Sequence, residues 1–155
     1  MALEIERKYL VHHPQWQQLE KPAGELFRQG YLLTDAAKTI RVRITPSTAF
    51  LTIKGLTTGI SRPEYEYEIP QQEAAELLDN FAIAELAKIR YRIKEGAHTW
   101  EVDEFLGDNA GLVVAEIELE SEQEEFALPT WIASEVTDEE KYYNANLTTH
   151  PYKNW

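Results

Sequence analysis

Along much of this chain polar and apolar residues alternate one for one, and the polar positions are charged. In Glu4-Ile5-Glu6-Arg7-Lys8, an extended strand would put Glu4, Glu6 and Lys8 on one face and Ile5, Arg7 and Tyr9 on the other. The pattern recurs in Arg62-Pro63-Glu64-Tyr65-Glu66-Tyr67-Glu68, in Lys88-Ile89-Arg90-Tyr91-Arg92-Ile93-Lys94 and in Glu116-Ile117-Glu118-Leu119-Glu120. This period of two predicts eight strands, over 4–11, 25–33, 39–45, 50–54, 62–68, 88–94, 99–105 and 112–119. Helical spacing is rarer. Pro70 with Ala74, Leu77, Leu78 and Phe81 predicts an amphipathic helix over 72–79. Thr137-Asp138-Glu139-Glu140 reads as a capping box for a C-terminal helix through residue 146. A short helix or turn is expected over 13–19 and a short helix over 122–128. The odd face of the fifth strand, with Tyr65, Tyr67 and Ile69, is expected beneath a layer of helices.

Eight closely spaced strands with no dividing linker predict one domain over 1–155. Their charged face can be solvated, or the sheet can close into an antiparallel barrel with that face lining the lumen and helices outside. Carboxylates two residues apart on a strand lie about 7 Å apart and repel by about 2.4 kcal/mol at an effective dielectric near 20. Four such pairs, Glu4/Glu6, Glu64/Glu66, Glu101/Asp103 and Glu116/Glu118, would cost on the order of 10 kcal/mol if enclosed, comparable with a whole domain's stability. A closed lumen therefore requires cations or metal ions between the acids. A solvated face does not, so both arrangements stand on energetics.

Charge and composition narrow the chemistry. The 27 acids and 15 bases give a net charge of -12, which disfavours nonspecific binding to nucleic acid or to an anionic membrane. The chain has no cysteine, which excludes disulfides, thiolate metal sites and thiol catalysis. No signal peptide and no transmembrane run is visible, so a cytoplasmic location is expected. Paired carboxylates without cysteine suit magnesium or manganese. Beside them Lys8, Arg41, Arg43, Lys54, Arg62, Lys88, Arg90 and Arg92 offer the cations that polyphosphate oxygens need. A Walker-type loop is absent, so phosphate would be held by side chains.

Taken in order, Glu4-x-Glu6-x-Lys8, Arg41-x-Arg43, Lys54, Arg62-x-Glu64-Tyr65-Glu66, Lys88-x-Arg90, Glu101-x-Asp103 and Glu116-x-Glu118 resemble the signature of the CYTH superfamily, the triphosphate tunnel metalloenzymes. Arg28-Gln29-Gly30-Tyr31 and Tyr142-x-Asn144 fit its short bacterial members, while Lys141 stands where an arginine is expected. The resemblance implies an α+β fold: an eight-stranded antiparallel closed β-barrel with helices packed outside and a C-terminal helix. It implies that Lys8, Arg41, Arg43, Lys54, Arg62, Lys88 and Arg90 hold phosphate oxygens. Glu4, Glu6, Asp103, Glu116 and Glu118 would hold Mg2+ or Mn2+, and Lys8, Lys88 and Glu6 would be catalytic. Tyr31, Glu64, Glu66, Glu101, Lys141 and Tyr142 would support them.

The activity implied is metal-dependent attack of water on a terminal phosphorus of a small-molecule triphosphate, with inorganic tripolyphosphate favoured because the short chain has little insertion for a nucleoside pocket. A class IV adenylyl cyclase, a thiamine triphosphatase and a polyphosphate-binding module without turnover are the alternatives. No nucleic-acid or membrane partner is expected, and a homodimer is compatible with the sequence.

Overall fold

Each of the eight alternating segments finds a partner on both edges in the computed structural model of this protein, which describes residues 2–155. The principal elements are β1 (Leu3–Val11), α1 (His13–Gln18), β2 (Glu25–Thr34), β3 (Thr39–Ile44), β4 (Ala49–Lys54), β5 (Ser61–Glu68), α2 (Gln71–Phe81), β6 (Ala84–Glu95), β7 (His98–Phe105), β8 (Val113–Glu118), β9 (Ile132–Glu135) and α3 (Asn144–Thr149). The strands run β5-β4-β3-β2-β6-β7-β8-β1, and β1 pairs back onto β5 to close an antiparallel barrel. Glu6 lies opposite Glu118, Lys8 opposite Glu116, Arg90 opposite Asp103 and Lys54 opposite Glu64. These registers keep the charged faces in phase, because a slip of one residue would turn a strand's charges outward.

The ninth strand shapes the barrel end. β5 holds the edge of β1 only at residues 3–5. Further along the same edge β9 pairs at Tyr9 and Val11, and the Val136 amide donates to the Lys8 carbonyl at 2.8 Å. Four residues are too few to show a period, so β9 is absent from the expected strands. It completes the wall and carries the chain to the barrel end.

Inside, the lumen changes character along its axis. A step of two residues takes β1 from Lys8 to Leu10, β8 from Glu116 to Val114, β6 from Lys88 to Leu86 and β7 from Asp103 to Phe105. Leu86, Phe105 and Val114 pack with Leu112, Val136, Tyr142 and Leu147 of α3 in one buried cluster, with Leu10 against it. The C-terminal helix therefore seals this end with apolar surface. A second core lies outside the barrel, where Trp16, Trp100 and Trp131 pack with Tyr9, Val102 and Ile117.

The third core forms where α2 covers the outer face of β3 and β4 through Ala74 and Leu78 against Val42 and Ala49. Gly30 permits this approach: a Cβ there would stand 2.8 Å from Leu78 Cδ2 and from Glu85 Cγ. Gly30→Val is expected to lower stability by about 1–3 kcal/mol through overpacking, read by thermal denaturation.

Three expectations are corrected. Residues 122–128 form no helix. Phe126 instead packs edge-on against Tyr9 and Trp100, and Glu124 accepts the Glu120 amide at 2.7 Å. The capping box does not cap, because the Thr137 hydroxyl accepts the Lys8 amide at 3.0 Å. A 3-10 turn, Glu140–Tyr142, follows, and α3 begins only at Asn144. Tyr65 and Tyr67 are 41% and 56% exposed, since α2 packs over β2, β3 and β4 and leaves β5 uncovered. Among the described residues no helix is long and apolar enough to cross a membrane.

Candidate functional site

The charged part of the lumen is a cavity of ≈ 980 Å³. Eight bases line it: Lys8, Arg41, Arg43, Lys54, Arg62, Lys88, Arg90 and Arg92. Glu4, Glu6, Glu64, Glu66, Glu101, Glu116 and Glu118 share the wall. In a chain of net charge -12 this concentration of cations is local, and the alternation on β1, β3, β4, β5 and β6 places it there.

Ion pairs offset much of the repulsion expected from the sequence. Lys8 Nζ donates to Glu116 at 2.8 Å and to Glu6 at 3.1 Å, and Lys54 Nζ donates to Glu4 at 2.9 and 3.1 Å. Lys54 also lies 3.3 Å from Glu64. Arg90 grips both oxygens of Asp103, at 2.8 and 2.9 Å, and donates to Glu101 at 3.2 Å. Lys88 Nζ reaches Asp103 at 2.7 Å and Asn144 Oδ1 at 2.8 Å. Burial would raise the Asp103 carboxyl, but Arg90 and Lys88 outweigh it and hold the group down at about 2. Burial also works against the Lys8 ammonium, yet Glu116 and Glu6 keep it above the ordinary lysine range.

Two regions remain uncompensated, one basic and one acidic, and they meet where β1 closes onto β5, with Glu4 opposite Arg62. On β3 and β5 guanidinium is in excess. Arg43 donates to the neutral Gln29 Oε1 at 2.9 Å, and Arg62 donates to the Gly55 carbonyl at 3.0 and 3.2 Å. Neither has a carboxylate partner among the described residues. Arg41 meets Thr52 Oγ1 at 3.2 Å and Glu66 at 3.4 Å, while its buried Nε has no partner. Burial, then Arg41 and Arg90, lower Arg43 to about 9, which still leaves it cationic at neutral pH. Lys88 is likewise pushed well below its ordinary range by burial and by Arg90 and Arg43, against the pull of Asp103. An anion in the cavity would relieve these cations and satisfy the orphaned N–H.

On β1 and β8 the excess is acidic. Burial raises the Glu6 carboxyl to about 7, with Glu116 adding to it. Glu4 is raised chiefly by burial, and Glu118 by burial and by Glu4, Glu101 and Glu6. Carboxylates short of positive charge suit a hard divalent cation. Among the described residues no three acids or histidines converge as a ready-made metal cage. One or two carboxylates completed by phosphate oxygens and water is the arrangement typical of magnesium.

Most sequence-predicted groups meet in this lumen. Tyr31 lines it, buried, and Glu64, Glu66 and Glu101 stand against Lys54, Arg41 and Arg90. Three residues depart. Asp103 is fully buried beneath the lining, with both oxygens engaged by Arg90 and Lys88, so it holds the bases rather than facing the cavity. Tyr142 belongs to the apolar seal, and Lys141 lies outside over the Tyr142 and Trp155 rings. Their neighbours Tyr143 and Asn144 line the cavity instead. The sequence also left unmarked Phe27, whose ring lies 5.0 Å from the Arg43 guanidinium and 5.2 Å from that of Arg90. Its parity with Gln29 and Tyr31 is the signal that places it.

Residues 2–152 match the model of the CYTH domain. An inorganic triphosphatase of Acetivibrio thermocellus is 49% identical over 156 residues, covering 100% of this chain and 99% of its own. An inorganic triphosphatase of Nitrosomonas europaea is 34% identical, covering 93% of this chain and 95% of its own. The crystal structure of an inorganic triphosphatase superposes with a TM-score of 0.64 at 30% identity, over 96% of this chain and 95% of that one.

Proposed function

This chain belongs to the CYTH domain family, and on that premise we propose that it hydrolyses inorganic tripolyphosphate to pyrophosphate and orthophosphate. The observation that carries this reading is the polarised lumen. Arg43 and Arg62 have no carboxylate partner among the described residues and Arg41 has only Glu66, at 3.4 Å, with its Nε unpartnered, whereas Glu4, Glu6 and Glu118 lack full compensation. A metal-bound triphosphate spans both deficits.

Arg41, Arg43 and Arg62 hold equatorial phosphate oxygens, with Lys54, Lys88 and Arg90 completing the cradle. Lys8, fixed between Glu6 and Glu116, is placed at the reacting end. Glu4, Glu6, Glu116 and Glu118 are the groups that would hold divalent metal, Mg2+ or Mn2+. Divalent metal held there would supply charge neutralisation on the phosphate and a lower pKa for the attacking water. Water oxygen bonds to the terminal phosphorus, the bridging P–O bond breaks, and pyrophosphate leaves, with the cations stabilising its charge. Charge-assisted hydrogen bonds pre-aligned on strands can supply this without a flexible phosphate loop.

The test is product analysis with tripolyphosphate, ATP and thiamine triphosphate. Metal-dependent release of orthophosphate and pyrophosphate from tripolyphosphate, faster than from the other two, is expected. Cyclic AMP from ATP, or binding without turnover, would contradict the proposal. Arg62 has no carboxylate to strand, so Arg62→Ala should lower kcat/KM for tripolyphosphate by about 10- to 100-fold, the loss of one charge-assisted bond, while leaving the melting temperature near wild type.

A further inference from the structure

The sealed end of the lumen holds a polar chain whose direction is set by its guanidinium end. At one end Lys88 Nζ donates to the Asn144 amide oxygen at 2.8 Å. At the other end Arg43 Nε can only donate, so the Gln29 atom 2.9 Å away is Oε1. Gln29 must then turn its Nε2 toward Asn144, whose Oδ1 lies at 3.2 Å. Gln29 and Lys88 are both fully buried. Asn144 Oδ1 is therefore the common acceptor of Lys88 Nζ and Gln29 Nε2, and through Gln29 it is linked to Arg43.

Two consequences follow for Asn144. Its oxygen is neutral, so it orients Lys88 without cancelling the charge that a phosphate would use. Its Nδ2 carries both protons and has no protein partner among the described residues, and the residue lines the cavity. The side chain cannot drift away, because α3 is anchored three residues later by Leu147, 1% exposed in the apolar seal.

Resting on the hydrolase reading, we propose that Asn144 recognises the terminal phosphoryl group of the triphosphate at the sealed end: Oδ1 positions Lys88 and, through Gln29, Arg43, while Nδ2 donates to a phosphoryl oxygen. The C-terminal helix is thereby part of the substrate site as well as a seal, and it makes the site read a chain terminus.

Asn144→Asp separates this role from a purely structural one. The near-isosteric carboxylate keeps the bond to Lys88, so a structural role predicts unchanged or higher melting temperature and unchanged turnover. The proposal predicts the same melting behaviour with kcat/KM for tripolyphosphate down about 100-fold and metal-free tripolyphosphate affinity down at least about 10-fold, because a donor is lost and a negative charge faces the ligand. Wild-type kcat/KM and affinity in Asn144→Asp would overturn it. Asn144→Ala is the companion variant, expected to weaken binding without adding charge; an affinity equal to wild type there would also overturn the proposal. Calorimetric affinity is measured alongside turnover. Binding by wild type without turnover would refute the hydrolase reading alone, with the affinity of Asn144→Asp still deciding the proposal. No binding by wild type would overturn both.

Discussion

Glu6→Gln is expected to abolish tripolyphosphate hydrolysis, by at least about 1,000-fold, while making the metal-free protein more stable at pH 8. Both effects come from one carboxyl. Its pKa rises to about 7 in the folded state, from burial first and Glu116 second. Because the folded state binds this proton more tightly than the unfolded one, stability falls as pH rises from about 4.5 to 7, and the full penalty persists above that. The shift corresponds to about 3 kcal/mol as an upper bound. Glutamine removes the charge yet keeps an oxygen for the Lys8 ammonium, 3.1 Å away. Thermal denaturation in chelator should show the variant melting above wild type at pH 8 and close to it at pH 4.5. Asp103 acts with the opposite sign, but only as pH falls below its ordinary range toward about 2, outside this window. A variant less stable than wild type at pH 8 would show that Glu6 is compensated in the metal-free fold.

Arg90→Leu is expected to have the largest effect on folding itself. Asp103 is fully buried, and Arg90 supplies hydrogen bonds to both its oxygens. Removing one partner of such a pair leaves a desolvated charge, which costs about 3–5 kcal/mol, or a melting-point loss on the order of 10 °C for a chain of this size. Lys88 remains 2.7 Å from Asp103 and limits the loss without removing it, since burial already weakens its charge. Adding Asp103→Leu should recover much of the stability and none of the activity, because Arg90 also lines the cavity. If the double variant melts no higher than Arg90→Leu alone, the penalty lies elsewhere than in the stranded carboxylate.

What could be read beforehand depended on whether a residue's position was fixed by a period. Glu4, Glu6 and Lys8 share the lumen because a strand leaves no other choice once its partners are in register. Arg41 with Arg43, and Lys88 with Arg90, were placed by the same rule. Asp103 obeyed it too, but parity cannot tell a group that faces the cavity from one buried beneath its bases. Where the chain leaves strand geometry, the signal weakened. Thr137 looked like a helix cap because local sequence does not show that the Lys8 amide, 129 residues away, takes its hydroxyl. The true helix start seven residues later put Tyr143 and Asn144 in the cavity and sent Lys141 and Tyr142 elsewhere. Tyr65 and Tyr67 looked like core by alternation, yet the single helix of that region is committed to β2, β3 and β4.

The energetic question left by the sequence is answered by pairing. Lys8, Lys54 and Arg90 each engage two or more acids, so most enclosed carboxylates have a partner. The charge left over, acidic on β1 and β8 and basic on β3 and β5, is the part available to a ligand. A lumen built only for stability would have paired it.

The most direct test is tripolyphosphate hydrolysis by the wild-type protein in oxygen-18 water, with Mg2+, with Mn2+ and with chelator, following both products by mass spectrometry. Attack on a terminal phosphorus in the charged lumen predicts one orthophosphate and one pyrophosphate per turnover, one labelled oxygen in the orthophosphate and none in the pyrophosphate, and no turnover in chelator. No release with either metal, or label in the pyrophosphate, would contradict it.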